Sequence, residues 1–371
     1  MPPLNDLMQE GDRLMTICNA CRYCEGYCAM FPAMERRLVF TEADLNYLAN
    51  LCHNCSECYY ACQYAPPHEY ELNLPRMLAQ IRMKTYQQYA WPAPFARAFR
   101  KNGLVVSLAL LVSLIAAIFS GTALARGGGL LTSPGAGLFY QIIPHNVMVG
   151  VFSVVSLFVM LAFLVGFVRF WSEAGEGFGA LLHISAVVRG FIDALSLKYM
   201  SSAGAGCTDP GEERSMSRRW FHHLTFYGFM LCFASTSVAA FYSYLLGWEA
   251  PYGYFSVPVI LGTLGGIGLL IGPAGLLLLK QRRNPETGDP AQSGMDVGFI
   301  ALLFTTSLTG LLLLALRHTD AMGVLLVIHL GAVMALFLTL PYGKFVHGIY
   351  RTAALVRNSL ESKRPIIGIG E

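Results

Sequence analysis

The chain has 371 residues, of which 54% are hydrophobic and only 13% charged, with a mean hydropathy of +0.48. That composition excludes an ordinary soluble domain of this length. A net charge of +3 is too small to suggest a nucleic-acid partner, so the distribution of charge matters more than its sum.

The first 62 residues hold two copies of one cysteine spacing: Cys18, Cys21, Cys24 and Cys28, then Cys52, Cys55, Cys58 and Cys62. Each reads C-x2-C-x2-C-x3-C. Three thiolates two residues apart wrap one corner of a 4Fe-4S cluster, and the displaced fourth cysteine ligates the other cluster. The expectation is therefore crossed: Cys18, Cys21, Cys24 and Cys62 for one cluster, and Cys52, Cys55, Cys58 and Cys28 for the second. A disulfide framework suits exported chains, but Asp6, Glu10 and Asp12 stand where a basic-then-apolar leader would lie. Zinc sites usually pair two short C-x2-C knuckles instead of placing four cysteines in one run. One working cluster beside a degenerate one is the remaining alternative. Cys207 and Cys232 stand outside both runs and receive no role; a cysteine in an apolar segment behaves as a small hydrophobe.

Thr41 with Asp44 reads as a capping-box variant opening a helix over 42–51. Pro75 suits the first turn of a second helix running through Met77, Leu78 and Ile81. Neither linker alternates like a strand, which favours a helical ferredoxin type over the small βαββαβ ferredoxin. Residues 85–102 mix aromatics, prolines and cations, as expected at a membrane-water interface.

Six segments are long and apolar enough to cross a hydrocarbon core of about 30 Å, approximately 103–125, 145–170, 222–246, 256–279, 296–316 and 321–342. The fourth is glycine-rich, which points to close helix packing and not to a phosphate loop, since no strand precedes it. With the cysteine domain in the cytoplasm, the stretches 171–221, 280–284 and 341–371 share its side and carry thirteen Lys and Arg, against Arg126 and Arg317 opposite. That bias obeys the positive-inside rule and places both termini in the cytoplasm. Residues 178–200 read as an amphipathic helix on the cytoplasmic surface, where it could also dock the cysteine domain.

Histidines within apolar helices are costly enough to be functional candidates, and their commonest electron-transfer use is haem ligation. His222 and His223 start the third span at the depth of His347, just past the sixth. One of the two, with His223 preferred, would clamp a b-type haem with His347. His329 lies about 27 Å from His347 along a straight helix. Its depth partner would be His145, for a second haem.

The stretches WFHHLTFYGFMLCFAST and His329 through PYGKFVH resemble the haem-binding helices of the cytochrome b subunit of respiratory nitrate reductases and of heterodisulfide-reductase-like cytochromes. Cys232 and Phe233 stand where the nitrate-reductase type carries a further histidine. Over its full length the chain resembles the tricarballylate (citrate) utilisation protein B family. The paired cysteine runs, APPHEYELNLPRMLAQIR, RRWFHHLTFYGF and PYGKFVHG carry that likeness. The resemblance implies electron transfer from a partner FAD-dependent tricarballylate dehydrogenase through iron-sulphur clusters and b-type haem to membrane quinone.

The expected architecture is all-α: a helical ferredoxin-type domain with two 4Fe-4S clusters (1–84), an interfacial linker (85–102), a six-span bacterial inner-membrane haem domain (103–349) and a cytoplasmic basic tail (350–371). No nucleophile, carboxylate pair or dinucleotide fingerprint stands out, so no catalytic residue is assigned and the chain counts as an enzyme only as a quinone-reducing subunit. The alternatives are a membrane-anchored iron-sulphur redox sensor, or an electron-transfer subunit of a heterodisulfide-reductase-like complex. Ion-coupled transport is disfavoured by the near absence of carboxylates in the spans.

Overall fold

The computed structural model describes residues 4–125, 139–174, 176–200, 207–208 and 213–364. The expected tail residues 365–371 and Arg126 lie outside them. The described chain is nearly all-α. The cysteine region comprises α1 (Leu4–Cys21), α2 (Met30–Met34), α3 (Glu42–Leu51), α4 (Glu57–Tyr60) and α5 (Leu74–Tyr89). The capping box is present as the sequence predicts: Thr41 Oγ1 accepts from Asp44 N, and the Asp44 carboxylate accepts from Thr41 N. Asn73 caps α5 with Pro75 in its first turn.

Next come α6 (Ala93–Ala125), α7 (Phe139–Ile142), α8 (His145–Glu173) and α9 (Ile184–Leu195). A two-residue pair of strands, β1 (Cys207–Thr208) and β2 (Arg214–Ser215), precedes α10 (Ser217–Leu245), α11 (Val257–Arg282), α12 (Ser293–Leu316), α13 (Met322–Thr339) and α14 (Val346–Glu361). The helices α6, α8 and α10 to α13 are long and apolar enough to cross a bilayer, making this a multi-pass membrane protein. Non-helical Asn102 breaks α6, and its side chain caps Val105 N at 3.1 Å, so the apolar run starts afresh at Gly103.

The glycines of α11 serve packing. A Cβ on Gly265 would lie 2.7 Å from Gly228 O, and one on Gly268 3.0 Å from Leu224 O, so only glycine permits this approach to α10. Cys232 Sγ fills the same seam, in the small-hydrophobe role expected of it.

Two segments differ from the sequence-based expectation. Residues 178–200 are not one helix: a 3-10 turn over Phe178–Leu182 ends at His183, and α9 starts afresh at Ile184. Residues 350–361, expected in a basic tail, belong to α14, which is buried in the core of the cysteine region. Its cations are internal. Arg37 bonds Asp44 at 2.6 Å and Glu361 at 2.5 Å, Arg357 bonds Glu361 at 2.9 Å, and Tyr47 Oη donates to Glu361 at 3.1 Å. Burial alone would raise the Asp44 carboxyl, but the hydrogen bonds from Arg37 and Thr41 hold it below its ordinary value. Higher on α14, Tyr350 packs on Tyr86, Tyr89 and Phe170, so α5, α8 and α14 share one aromatic core.

The connection after α11 meets the cysteine region. Tyr59 Oη donates to Glu286 at 3.2 Å and Asn73 to Glu286 O at 2.9 Å, so this end of the bundle faces the cysteines. At the opposite end, Arg317 lies 3.9 Å over the Tyr254 ring and donates to Tyr252 O.

Candidate functional site

Thiols from the two cysteine runs lie close to one another. A cavity of about 220 Å³ is lined by Cys18, Cys21, Cys24, Cys58 and Cys62. A water needs only about 10–15 Å³, so the space holds a body far larger than one ion. Among the described residues no three His, Cys, Asp or Glu side chains converge on a single-ion point. Tyr23, 69% exposed, stands at the rim, so the cavity opens to the surface. Burial and then Cys62, ahead of the nearer-in-sequence Cys24 and Cys21, push the Cys18 thiol up to about 12. Cys28 behaves as the converse: after burial, its strongest neighbours are Cys55 and Cys52, while the backbone N–H groups of Met30 and Phe31 act the other way. Cys58 is raised by burial and then by Cys55, Cys52 and Cys28. Thiols crowded in this way resist ionising beside one another, and an iron cluster would relieve that repulsion.

Local backbone explains the inward turn of the thiols. Arg22, Asn54 and Ser56 take left-handed φ values of 53°, 53° and 64°, reversing the chain directly beside Cys21 and Cys55. Asn54 N donates to Cys52 Sγ at 3.3 Å. His68 lies between the rings of Tyr64, a residue of the cavity wall, and Tyr70.

The histidines are sorted by helix face. His222, not the preferred His223, meets His347: their ring centroids are 6.0 Å apart with planes at 89°. Two imidazoles bonded at about 2 Å to opposite sides of a metal place their centroids roughly 6 Å apart. His347 Nδ1 donates to Lys344 O, which leaves Nε2 with its lone pair. His222 Nδ1 is shielded and has no hydrogen-bond partner in the protein. Phe345, two residues before His347, stacks on Phe163 and abuts Phe229, which lies two turns beyond His222. His223 instead stacks on Tyr227 at 5.6 Å, on another face of α10. Adjacent residues on a helix diverge by about 100°, and nothing in the dipeptide tells which one faces inward.

His145 and His329, expected to pair at the other level, each have neighbours of their own. His329 bonds Thr309 at 3.1 Å and packs so tightly on α12 that a Cβ on Gly310 would lie 2.9 Å from its ring. His145 packs against Tyr140 and Tyr244.

Arginines join the cysteine and histidine groups. Arg351, one turn beyond His347, donates to Cys52 O at 2.6 Å; Arg218, one turn before His222, donates to Asn54 O at 2.6 Å and His53 O at 3.1 Å. In the sequence these residues counted only toward membrane orientation. Their spacing of four from each histidine was the available signal.

Fold and site together define a multi-pass membrane protein whose cysteine-rich head shares a core with the helix that carries His347. Residues 97–368 match the family described as Citrate utilization protein B, and residues 11–89 match its Fer4-like domain. A relative from Escherichia coli, Citrate utilization protein B, is 54% identical over 356 residues, covering 96% of this chain and 93% of its own length. The chain belongs to the citrate utilization protein B family, as the sequence motifs implied. No solved structure matches it.

Proposed function

We propose that this chain is the membrane electron-transfer subunit of a citrate or tricarballylate utilisation system, taking electrons from a reduced FAD-dependent dehydrogenase and delivering them to membrane quinone. The observation that carries the reading is the direct hydrogen-bond link from loop 52–54 to the helices bearing His222 and His347. A Fer4-like match over 11–89 and six apolar helices agree with it.

The donor sets suit their cofactors. Cys18, Cys21, Cys24 and Cys62 would hold one 4Fe-4S cluster, Cys28, Cys52, Cys55 and Cys58 the other, and His222 with His347 a single b-type haem. Bound there, these groups supply the one-electron chemistry that a two-electron flavin donor requires. The chain's own residues do the arranging. The Cys18 group lies at an open mouth beside Tyr23, where a soluble partner has access, whereas Cys52 and Cys55 are buried toward the membrane. The Lys344 carbonyl fixes the His347 tautomer. The basic-residue bias supports a bacterial inner-membrane location with the cysteine head and both termini cytoplasmic.

The test is a visible spectrum of full-length protein in proteoliposomes. Dithionite-reducible haem bands that reoxidise when a soluble quinone is added are expected. Protein with clusters but no haem band would instead favour a membrane-anchored iron-sulphur sensor.

A further inference from the structure

Loop 49–56 is gripped by guanidinium groups from four separate parts of the chain. Arg82 on α5 donates to Ala49 O and Cys52 O, both at 2.9 Å. Arg351 on α14 donates to the same Cys52 O and to Asn50 O. Arg218 on α10 and Arg283 beyond α11 both reach Asn54 O, at 2.6 and 3.2 Å.

Arg82 and Arg351 are the informative pair. Arg82 is 3% exposed, and the recorded hydrogen-bond acceptors of both are backbone carbonyls. Among the described residues neither forms an ion pair with a carboxylate, whereas Arg37 and Arg357 deeper in the head are both matched by acids. A carbonyl satisfies an N–H but does not neutralise a charge, and a cation taken out of water is costly unless an anion lies close. An arginine side chain stays protonated across the physiological range, so two like charges converge on the Cys52 carbonyl. The groups positioned to supply the missing negative charge are the thiolates of Cys28, Cys52, Cys55 and Cys58 with whatever they ligate. The Cys18 group has a different setting: the carboxylate that bears on Cys24 after burial, Cys62 and Cys21 is Glu57, which is itself paired with Arg214.

We propose that Arg82 and Arg351 are positioning residues that raise the reduction potential of the cluster on Cys28, Cys52, Cys55 and Cys58 above that of the cluster on Cys18, Cys21, Cys24 and Cys62. This rests on the two-cluster reading above. Reduction adds one electron and therefore one negative charge, which burial disfavours and a fixed cation favours. Two unneutralised cations at one cysteine carbonyl outweigh burial there. An electron entering at the open mouth then moves inward by one-electron exchange, with no proton or bond change required.

The experiment is a redox titration of the full-length protein in detergent, followed by low-temperature electron paramagnetic resonance. Cys28→Ala identifies the inner signal by its loss. Arg351→Gln should lower the potential of that signal by at least about 59 mV, a tenfold change for a one-electron couple, and leave the outer one in place. Arg351→Lys, which keeps the charge, should recover most of the shift. Arg82→Gln gives the same reading independently if Arg351→Gln fails to assemble. The proposal is overturned if the charge-removing variants leave the inner potential unmoved, if the outer one shifts instead, or if the wild-type inner potential lies below the outer. Wild-type protein lacking two cluster signals overturns the two-cluster reading itself, and the proposal with it.

Discussion

His222 and His347 face each other with ring centroids 6.0 Å apart and planes at 89°, one from α10 and one from α14. His222→Ala and His347→Ala should each abolish the haem absorbance, while His223→Ala and His329→Ala retain it, because His223 stacks on Tyr227 and His329 is engaged by Thr309. Haem content per polypeptide is the measurement. Full haem in His222→Ala with loss in His223→Ala would reverse the assignment.

Much of this site was legible in the sequence because its signals are periodic or local. The repeated cysteine spacing sets which thiols lie on one side of a turn, and the capping box at Thr41 and Asp44 needs only three intervening bonds' worth of chain to be recognised. The spans follow from hydropathy. What was not legible depends on helix rotation and long-range packing. The choice between His222 and His223 is a rotation of about 100°. The ion pairs of Arg357 with Asp44 and of Arg37 with Glu361 each join residues more than 300 positions apart in the sequence. A basic stretch at the end of a membrane protein reads as a solvated tail until such partners are known.

The proposed crossing of the cysteine runs gives a second prediction. Cys28→Ala should remove the cluster held by Cys52, Cys55 and Cys58, and Cys62→Ala the one held by Cys18, Cys21 and Cys24. Each variant should lose about half of the cluster iron, read by iron content and by the paramagnetic signal that survives. Loss of the Cys18 group in Cys28→Ala would show that each run serves its own cluster.

The ion network beneath α14 predicts acid sensitivity. The Asp44 carboxyl is held below its ordinary value, so its stabilising share is fully present above the unfolded value of about 3.9 and is lost as pH falls through the folded one. Amide protection of α3 and α14 should therefore drop together below about pH 4, and Asp44→Asn should flatten the Asp44 share of that dependence. Glu361→Ala, which leaves Asp44 as the one carboxylate shared by Arg37 and Arg357, should destabilise the docking of α14, read as lower amide protection there. Equal protection on both sides of this range would show that the network is not what holds α14 to the head.

The last prediction concerns α9, whose surface divides into three sectors. Ala186 and Gly190 pack on α14, where a Cβ on Gly190 would lie 2.6 Å from Val356 Cγ2. Ser185 and Arg189 form an exposed polar sector. The third sector, Ile184, Val188, Phe191, Ile192 and Leu195, is apolar and exposed, at the i, i+4, i+7, i+8, i+11 spacing of one helix face. Tyr227 Oη donates to Leu195 O, and Arg219 to Ser196 O. Tyr227 lies ten residues into α10, about 15 Å along it, so the end of α9 lies beside a membrane-spanning helix and its bare apolar face is expected to meet lipid. In liposomes containing brominated lipid, Phe191→Trp fluorescence should be strongly quenched and that of Ser185→Trp weakly. Val188→Asp with Ile192→Asp should free the helix and loosen α14, read as faster hydrogen exchange in both. Equal quenching at positions 185 and 191 would mean that α9 stands clear of the bilayer.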